Sequence, residues 1–331
     1  MATLKDAVKK FVRGYRKTAV FALTTKCNCQ CIMCDMHAKK PEYIPLNDAK
    51  KVLTFLADNE FLIAYFTGGE PTLHPNIVEI VDYAGKLGIV TTLTTNGSVS
   101  KGLLKRLKDA GLYVLSVSLD HWDPKICEKI RSHKNIMTKA LETIKYSRSI
   151  GLKAYALAFL NPFLVQDGVD KLVEYVNNTL QVPLGFCYPT KSDVNSYGLG
   201  GQLSAEELSR GMDLSVKKLL TAKKNGSNIA NLWVYMEDVL NFREGNQPNF
   251  YCKGGEEVIY VDWHGDVYPC FLREKMFNIL RDKPRFFKNV KCNDCLINCF
   301  REPSILPQLP SSPRLLTLEA LYSRSSRWLY G

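Results

Sequence analysis

From Thr18 onward, apolar and polar positions alternate along the chain with two periods. Continuous apolar runs at 19–25, 62–67, 89–95, 113–119, 153–159 and 184–188 predict six strands buried on both faces. Helical spacing fills the gaps. Leu46, Ala49, Leu53 and Leu56 mark one face, and Ile77, Ile80, Val81, Ala84 and Leu87 a second. Leu103, Leu104 and Leu107 follow Ser100, a predicted N-cap, and Met137, Ala140, Leu141 and Ile144 mark a fourth face. Strands alternating with helices imply α/β structure, a parallel sheet with right-handed crossovers. Six units fit an open, partial (β/α)6 TIM-like barrel, which places chemistry at the C-terminal ends of the strands.

The flanking segments differ in texture. Residues 1–17 carry Leu4, Val8, Phe11 and Tyr15 at helical spacing among lysines and arginines, predicting an amphipathic helix packed on the barrel or lying on a membrane surface. Residues 188–202 are rich in turn formers and read as a linker or active-site loop. Ser204 with Glu207 forms a capping box expected to open one long helix, with another at 229–242. The last thirty residues contain four prolines and little period, predicting a surface-draped tail or lid. The expected divisions are an N-terminal helix 1–17, a barrel core 18–200, a helical linker 201–250, a cysteine-bearing extension 251–300 and a tail 301–331.

Composition narrows the class. A chain of 331 residues accommodates one large domain of roughly 200–250 residues and a small appendage. No 18-residue apolar run and no signal-peptide pattern appear, which points to the cytoplasm. The eleven cysteines fall mostly in two clusters, which reads as metal binding rather than disulfides. The net charge of +11 lacks a long basic block and reads as a diffusely basic surface, with nucleic acid, an anionic membrane or an acidic partner as alternatives.

The first cluster is Cys27-Asn-Cys29-Gln-Cys31-Ile-Met-Cys34, directly after the first strand. Cys27, Cys31 and Cys34 stand in C-x3-C-x2-C spacing, so three thiolates can hold three corners of a [4Fe–4S] cube and leave one iron open. Structural zinc sites usually use two separated pairs, and disulfides strain in so short a loop. Cys29 falls outside the triad and is read as a non-ligand.

This spacing resembles the signature of radical S-adenosylmethionine (SAM) enzymes. The resemblance implies that the open iron chelates SAM and that a 5′-deoxyadenosyl radical, formed by reductive cleavage, abstracts a substrate hydrogen atom. It also implies roles for residues at later strand ends. Gly68-Gly69-Glu70 is similar to the motif receiving the SAM amino group. Asn96, in Thr-Thr-Asn-Gly, either lines the nucleoside site or makes a turn. Ser118 is placed toward ribose or carboxylate, and Arg131 toward the SAM carboxylate. Asn161-Pro162 is expected near the site. His37 and His121 are read as structural, and no substrate base is assigned.

The second cluster, Cys252, Cys270, Cys292, Cys295 and Cys299, resembles in part the SPASM and twitch extensions that hold auxiliary clusters. Too few ligands remain for two auxiliary clusters, so the resemblance implies one, on Cys252, Cys270, Cys292 and Cys295, with Cys299 spare or substituting. Zinc is the competing reading there. Cys127 is read as a packing residue; Cys187 lies near a strand end. The implied protein is a radical SAM enzyme, an oxidoreductase or a C–C/C–X bond-forming enzyme that oxidises, cross-links or similarly modifies its substrate, with SAM, a three-cysteine [4Fe–4S] cluster and one auxiliary [4Fe–4S] cluster. Its implied partners are a small-molecule, peptide or lipid-like substrate, a low-potential flavodoxin- or ferredoxin-like electron donor, and peripheral membrane contact in the lipid case. A zinc-binding, nucleic-acid-interacting protein is the alternative from another class.

Overall fold

The computed structural model describes residues 9–192, 194, 197 and 199–322. Among them a sheet runs in the order β6-β5-β4-β3-β2-β1-β7-β8-β9. The first six strands are β1 Lys17–Thr24, β2 Phe61–Gly68, β3 Val90–Thr95, β4 Val114–Ser118, β5 Lys153–Phe159 and β6 Leu184–Cys187. Each pairs in parallel with its neighbour. The architecture is the partial, TIM-like α/β barrel expected from the alternation.

Side-chain alternation explains how one sheet serves a core and a site. In β2, Ala64 and Phe66 are fully buried, while Tyr65 and Thr67 face a central cavity. In β5, Tyr155, Leu157 and Phe159 face that same cavity. The helix Leu46–Asp58 buries Ala49, Val52, Leu53 and Leu56, and Ile77–Lys86 buries Ile77, Ile80, Val81 and Ala84. Ser100 caps Lys101–Asp109 by accepting from Leu103 N.

The C-terminal strands extend this sheet. β7 (Val258–Val261) pairs in parallel with β1, and β8 (Asp266–Tyr268) and β9 (Phe277–Asn278) continue antiparallel. The cysteine-bearing extension is therefore fused to the first barrel strand.

Three expectations need correction. The capping box at Ser204 is present, but its helix ends at Ser209; Arg210 is extended, and Gly211 at φ +70° restarts the chain as Met212–Lys224. The C-terminal segment is helical at Asn298–Arg301, Ile305–Gln308 and Pro313–Tyr322. It is anchored rather than draped: Leu315 is buried, Tyr322 stacks on Trp233, and Glu319 accepts from Val234 N. Asn161 caps the helix Pro162–Asp167 and donates to Asp120 O, which makes it structural. Residues 1–8 of the expected amphipathic helix lie outside the described residues. Within it, residues 9–12 are helical and Lys10 Nζ donates to Leu87 O at 2.7 Å.

A buried ion pair locks the C-terminal segment to the helix Trp233–Arg243. Arg301 and Asp238 are both fully buried and bonded through the guanidinium. Replacing Asp238 with Ala strands a buried cation and is expected to cost about 3–5 kcal/mol. Chemical denaturation measures it; a loss below about 1 kcal/mol contradicts the lock.

Candidate active site

The first cysteine cluster is held from three sides. Gln30 N donates to Arg131 O and Ile32 N to Ile130 O, tying the loop to the helix Pro124–Arg131. Gly200 N donates to Met33 O and Gln202 N to Ile32 O, so the 188–202 segment is an active-site loop. A Cβ on Gly201 would fall 2.4 Å from Ile32 O, which explains a glycine there. The third support is the β2 end: Gly69 N donates to Thr24 O and Glu70 N to Lys26 O.

Cys27, Cys31 and Cys34 line one cavity of about 340 Å³. The Cys29 thiol bonds to both Cys27 and Cys31, and these contacts with burial push its own pKa far up. The donated bond from Cys29 is the first reason Cys31 is drawn down to about 7, with Arg131 assisting against burial. Cys29 therefore sits between two cysteines of the triad and is bonded to both.

Arg131 is fixed by Asp120, whose Oδ2 accepts from Nε at 2.6 Å while Oδ1 accepts from Phe159 N. Its Nη1 lies 3.9 Å from Cys31 Sγ. The guanidinium thus presents positive charge at the thiol loop and faces the cavity.

Glu70 is almost wholly buried. Oε1 accepts from Thr72 N, Thr72 Oγ1 and Thr95 Oγ1, and Oε2 from Asn96 N at 2.7 Å. Its carboxylate therefore fastens the end of β2 to the end of β3. Asn96 continues the chain of contacts by donating from Nδ2 to Asn28 Oδ1 within the cysteine loop. Gly68, Gly69, Glu70, Asn96, Ser118 and Arg131 all line the cavity. The pair of glycines is required by packing: Cβ atoms would lie 2.3 Å from Thr24 O and 2.4 Å from Lys26 O. Gly69→Ala is expected to displace the cysteine loop at a cost of about 1–3 kcal/mol, with lower iron per chain after anaerobic reconstitution. Unchanged iron content and melting temperature would refute it.

His37 lines the cavity and carries a buried Nδ1 with no hydrogen-bond partner among the described residues. His121 instead is buried, stacks on Trp122 and faces Asp167. Cys127 packs beneath it, donating to His121 O.

The opposite wall was not assembled by the sequence motifs. It contains Cys187, Tyr188, Asn298, Cys299 and Glu302. Glu302 Oε1 accepts from Leu232 N at 2.7 Å and Oε2 from Asn231 Nδ2 at 3.1 Å, and burial pushes its carboxyl up to about 7. Tyr197 closes the side, stacked on Phe271 and bonded to Thr67.

Cys252, Cys270, Cys292 and Cys295 line a second cavity, of about 720 Å³. Backbone pairing brings two of them together: Cys252 N donates to Cys292 O and Cys292 N to Cys252 O. Cys299 is not in this set but faces the first cavity near Cys187. Among the described residues no three His, Cys, Asp or Glu side chains converge tightly enough for a single metal ion. Four thiols lining one cavity form a donor set of the kind that iron–sulfur clusters and zinc ions use.

A partial barrel with a three-thiol loop at its strand ends, shielded by a second loop and a C-terminal wall, defines an iron–sulfur enzyme. Residues 21–183 match the model of the Radical SAM superfamily. The chain is 32% identical over 276 residues to the antilisterial bacteriocin subtilosin biosynthesis protein AlbA of Bacillus subtilis, covering 79% of this chain and 56% of that one. It is 23% identical over 305 residues to an Fe-coproporphyrin III synthase of Methanosarcina barkeri, covering 85% and 75%. The fold is similar to Streptococcus suis SuiB bound to S-adenosylmethionine, with TM-score 0.61, 18% identity, and 84% and 68% coverage. The protein is a radical SAM enzyme, with a [4Fe–4S] cluster and SAM as cofactors. Cys27, Cys31 and Cys34 present the donor set that cluster requires.

Proposed function

We propose that this enzyme oxidises or cross-links a side chain of a peptide, with one auxiliary [4Fe–4S] cluster on Cys252, Cys270, Cys292 and Cys295. Cys27, Cys31 and Cys34 would hold a cluster with SAM bound to it, and that pair would supply the radical chemistry that removes a substrate hydrogen atom. The protein's own residues do the rest. Arg131, held by Asp120, places positive charge at the SAM end. Gly68 and Gly69 keep the cavity floor flush with the cysteine loop. Tyr65, Tyr155 and Phe159 exclude water beside the reacting carbon. Glu302 receives the proton that an oxidised substrate must release.

The observation that carries this reading is one continuous segment joining both cavities. Cys292 and Cys295 line the second, and Asn298, Cys299 and Glu302 line the first. The likeness to the subtilosin biosynthesis protein supports a peptide. Wall chemistry argues against an acidic substrate such as a propionate-bearing tetrapyrrole: the described lining offers one arginine, already committed to Asp120, and no lysine. A low-potential flavodoxin- or ferredoxin-like donor supplies the electron. No helix among the described residues is long and apolar enough to cross a membrane. Eleven free thiols suit the reducing cytoplasm proposed as its setting. Anaerobic iron and sulfide analysis with a SAM cleavage assay tests the proposal. About eight irons per chain and formation of 5′-deoxyadenosine are expected; zinc without iron and no cleavage would refute it.

A further inference from the structure

Glu302 is held by a seam of chain that ends at a buried cation. Its Oε2 accepts from Asn231 Nδ2 and its Oε1 from Leu232 N, just before the helix Trp233–Arg243. Asn231 is itself locked onto β6. Its Oδ1 accepts from Phe186 N at 2.6 Å, and its Nδ2 also donates to Phe186 O at 3.0 Å. Ala230 N donates to Leu184 O and Leu184 N to Asn228 O, so residues 228–231 run along the edge strand of the barrel. Behind this seam lies Lys223, in the last turn of Met212–Lys224 and 2% exposed. Its Nζ donates to Ile229 O and Asn231 O, both at 2.7 Å. Lysines ordinarily keep the ammonium in water; this one points inward and clamps the segment that carries Asn231.

A second carboxylate enters from the C-terminal helix Pro313–Tyr322. Glu319 Oε1 accepts from Val234 N, in the first turn of Trp233–Arg243. Glu302 and Glu319 thus share one helix N-terminus, where free N–H groups favour negative charge. Both also act on Lys223. The other titratable groups around Glu302 stay neutral near pH 7. Burial raises the thiols of Cys187 and Cys299 and the phenols of Tyr155 and Tyr235. Arg301, the preceding residue, is bonded to Asp238. Lys223 and Glu319 are therefore the charges that bear on Glu302.

On the reading that Glu302 accepts the substrate proton, we propose that Lys223 and Glu319 are positioning residues that act on it in opposite senses: the ammonium favours its carboxylate form, and the second carboxylate favours its acid form. Burial lowers Lys223 only to about 8, so it is still largely charged where Glu302 titrates. The described part of the C-terminal helix lines none of the cavity, yet through Glu319 it sets proton affinity inside it.

The test is an infrared pH titration of the iron-loaded enzyme without substrate, which follows the protonated-carboxyl band that Glu302→Gln removes. A wild-type midpoint of about 7 is expected. Lys223→Met is expected to raise that midpoint and Glu319→Gln to lower it, each by about one pH unit. Glu319→Gln keeps an acceptor for Val234 N, so it remains informative if Lys223→Met, which strands two buried carbonyls, fails to fold. Shifts of the same sign in both variants would assign the effect to altered packing and overturn the proposal. So would an unmoved midpoint in Glu319→Gln. In both cases a band that still depends on Glu302 leaves the proton-acceptor reading standing. A neutral-pH carboxyl titration unchanged in Glu302→Gln would overturn that reading, and the positioning roles with it.

Discussion

Replacing Cys31 with Ala is expected to abolish SAM cleavage, a loss of at least about a thousandfold, to the level of reductant alone. The size follows from the role of the thiol. Cys31 is one of the three cysteines in C-x3-C-x2-C spacing, all of which line the cavity, and the one beside Arg131, 3.9 Å from its Nη1. Its pKa is drawn down to about 7 by the donated bond from Cys29, with Arg131 adding to it, so this thiol is more acidic than an ordinary cysteine. Cys29 lies outside that spacing, and its thiol bonds to both Cys27 and Cys31. Cys252→Ala is expected to behave differently, retaining SAM cleavage while losing oxidised product, because Cys252 lines only the second cavity. Cleavage persisting in Cys31→Ala, measured as 5′-deoxyadenosine by chromatography, would remove the basis of the enzyme reading. Equal loss in both variants would mean that the two cavities do not act separately.

The barrel was legible because its signals are local. Uninterrupted apolar runs such as Phe61–Gly68 have one stable use, as strands covered by helices on one side and a filled cavity on the other. Helix faces and the Ser100 cap follow from spacing alone. What failed was information that pairing supplies. The capping box announces a helix start but not its stop, and the stop is set by Gly211 taking a left-handed conformation. Nothing local indicates that Val258–Val261 joins β1, since any apolar strand could fill that edge. Spacing leaves Cys299 as a spare or as a substitute for one of the other four cysteines of the second cluster. Only the short helix Asn298–Arg301 turns Cys299 away from the other four, into the catalytic cavity. Glu70 and Asn96 carry recognisable motifs, yet their hydrogen bonds reveal a bracing function: together they connect β2, β3 and the cysteine loop.

Glu302 had no motif at all. It sits one helical turn beyond Cys299, so the two share a face, and that face closes the cavity. Removing its charge with Glu302→Gln is expected to lower product formation about a hundredfold, the usual worth of a positioned base. The pH dependence distinguishes this role from bracing. Burial raises the carboxyl to about 7, so the proton-accepting form becomes populated as pH rises through that value, and product formation should rise with it. In Glu302→Gln that acidic limb should vanish, leaving a low, flat rate. Stability changes in the opposite sense. Between the ordinary carboxyl value of 4.5 and about 7, the folded chain keeps a proton that the unfolded chain releases. The contribution is therefore full below that window and is lost as pH rises through it. Glu302→Gln should flatten this slope in denaturation curves measured across the same range. A variant with reduced turnover but an unchanged acidic limb would show that Glu302 only braces Asn231 and Leu232, and that another group takes the proton.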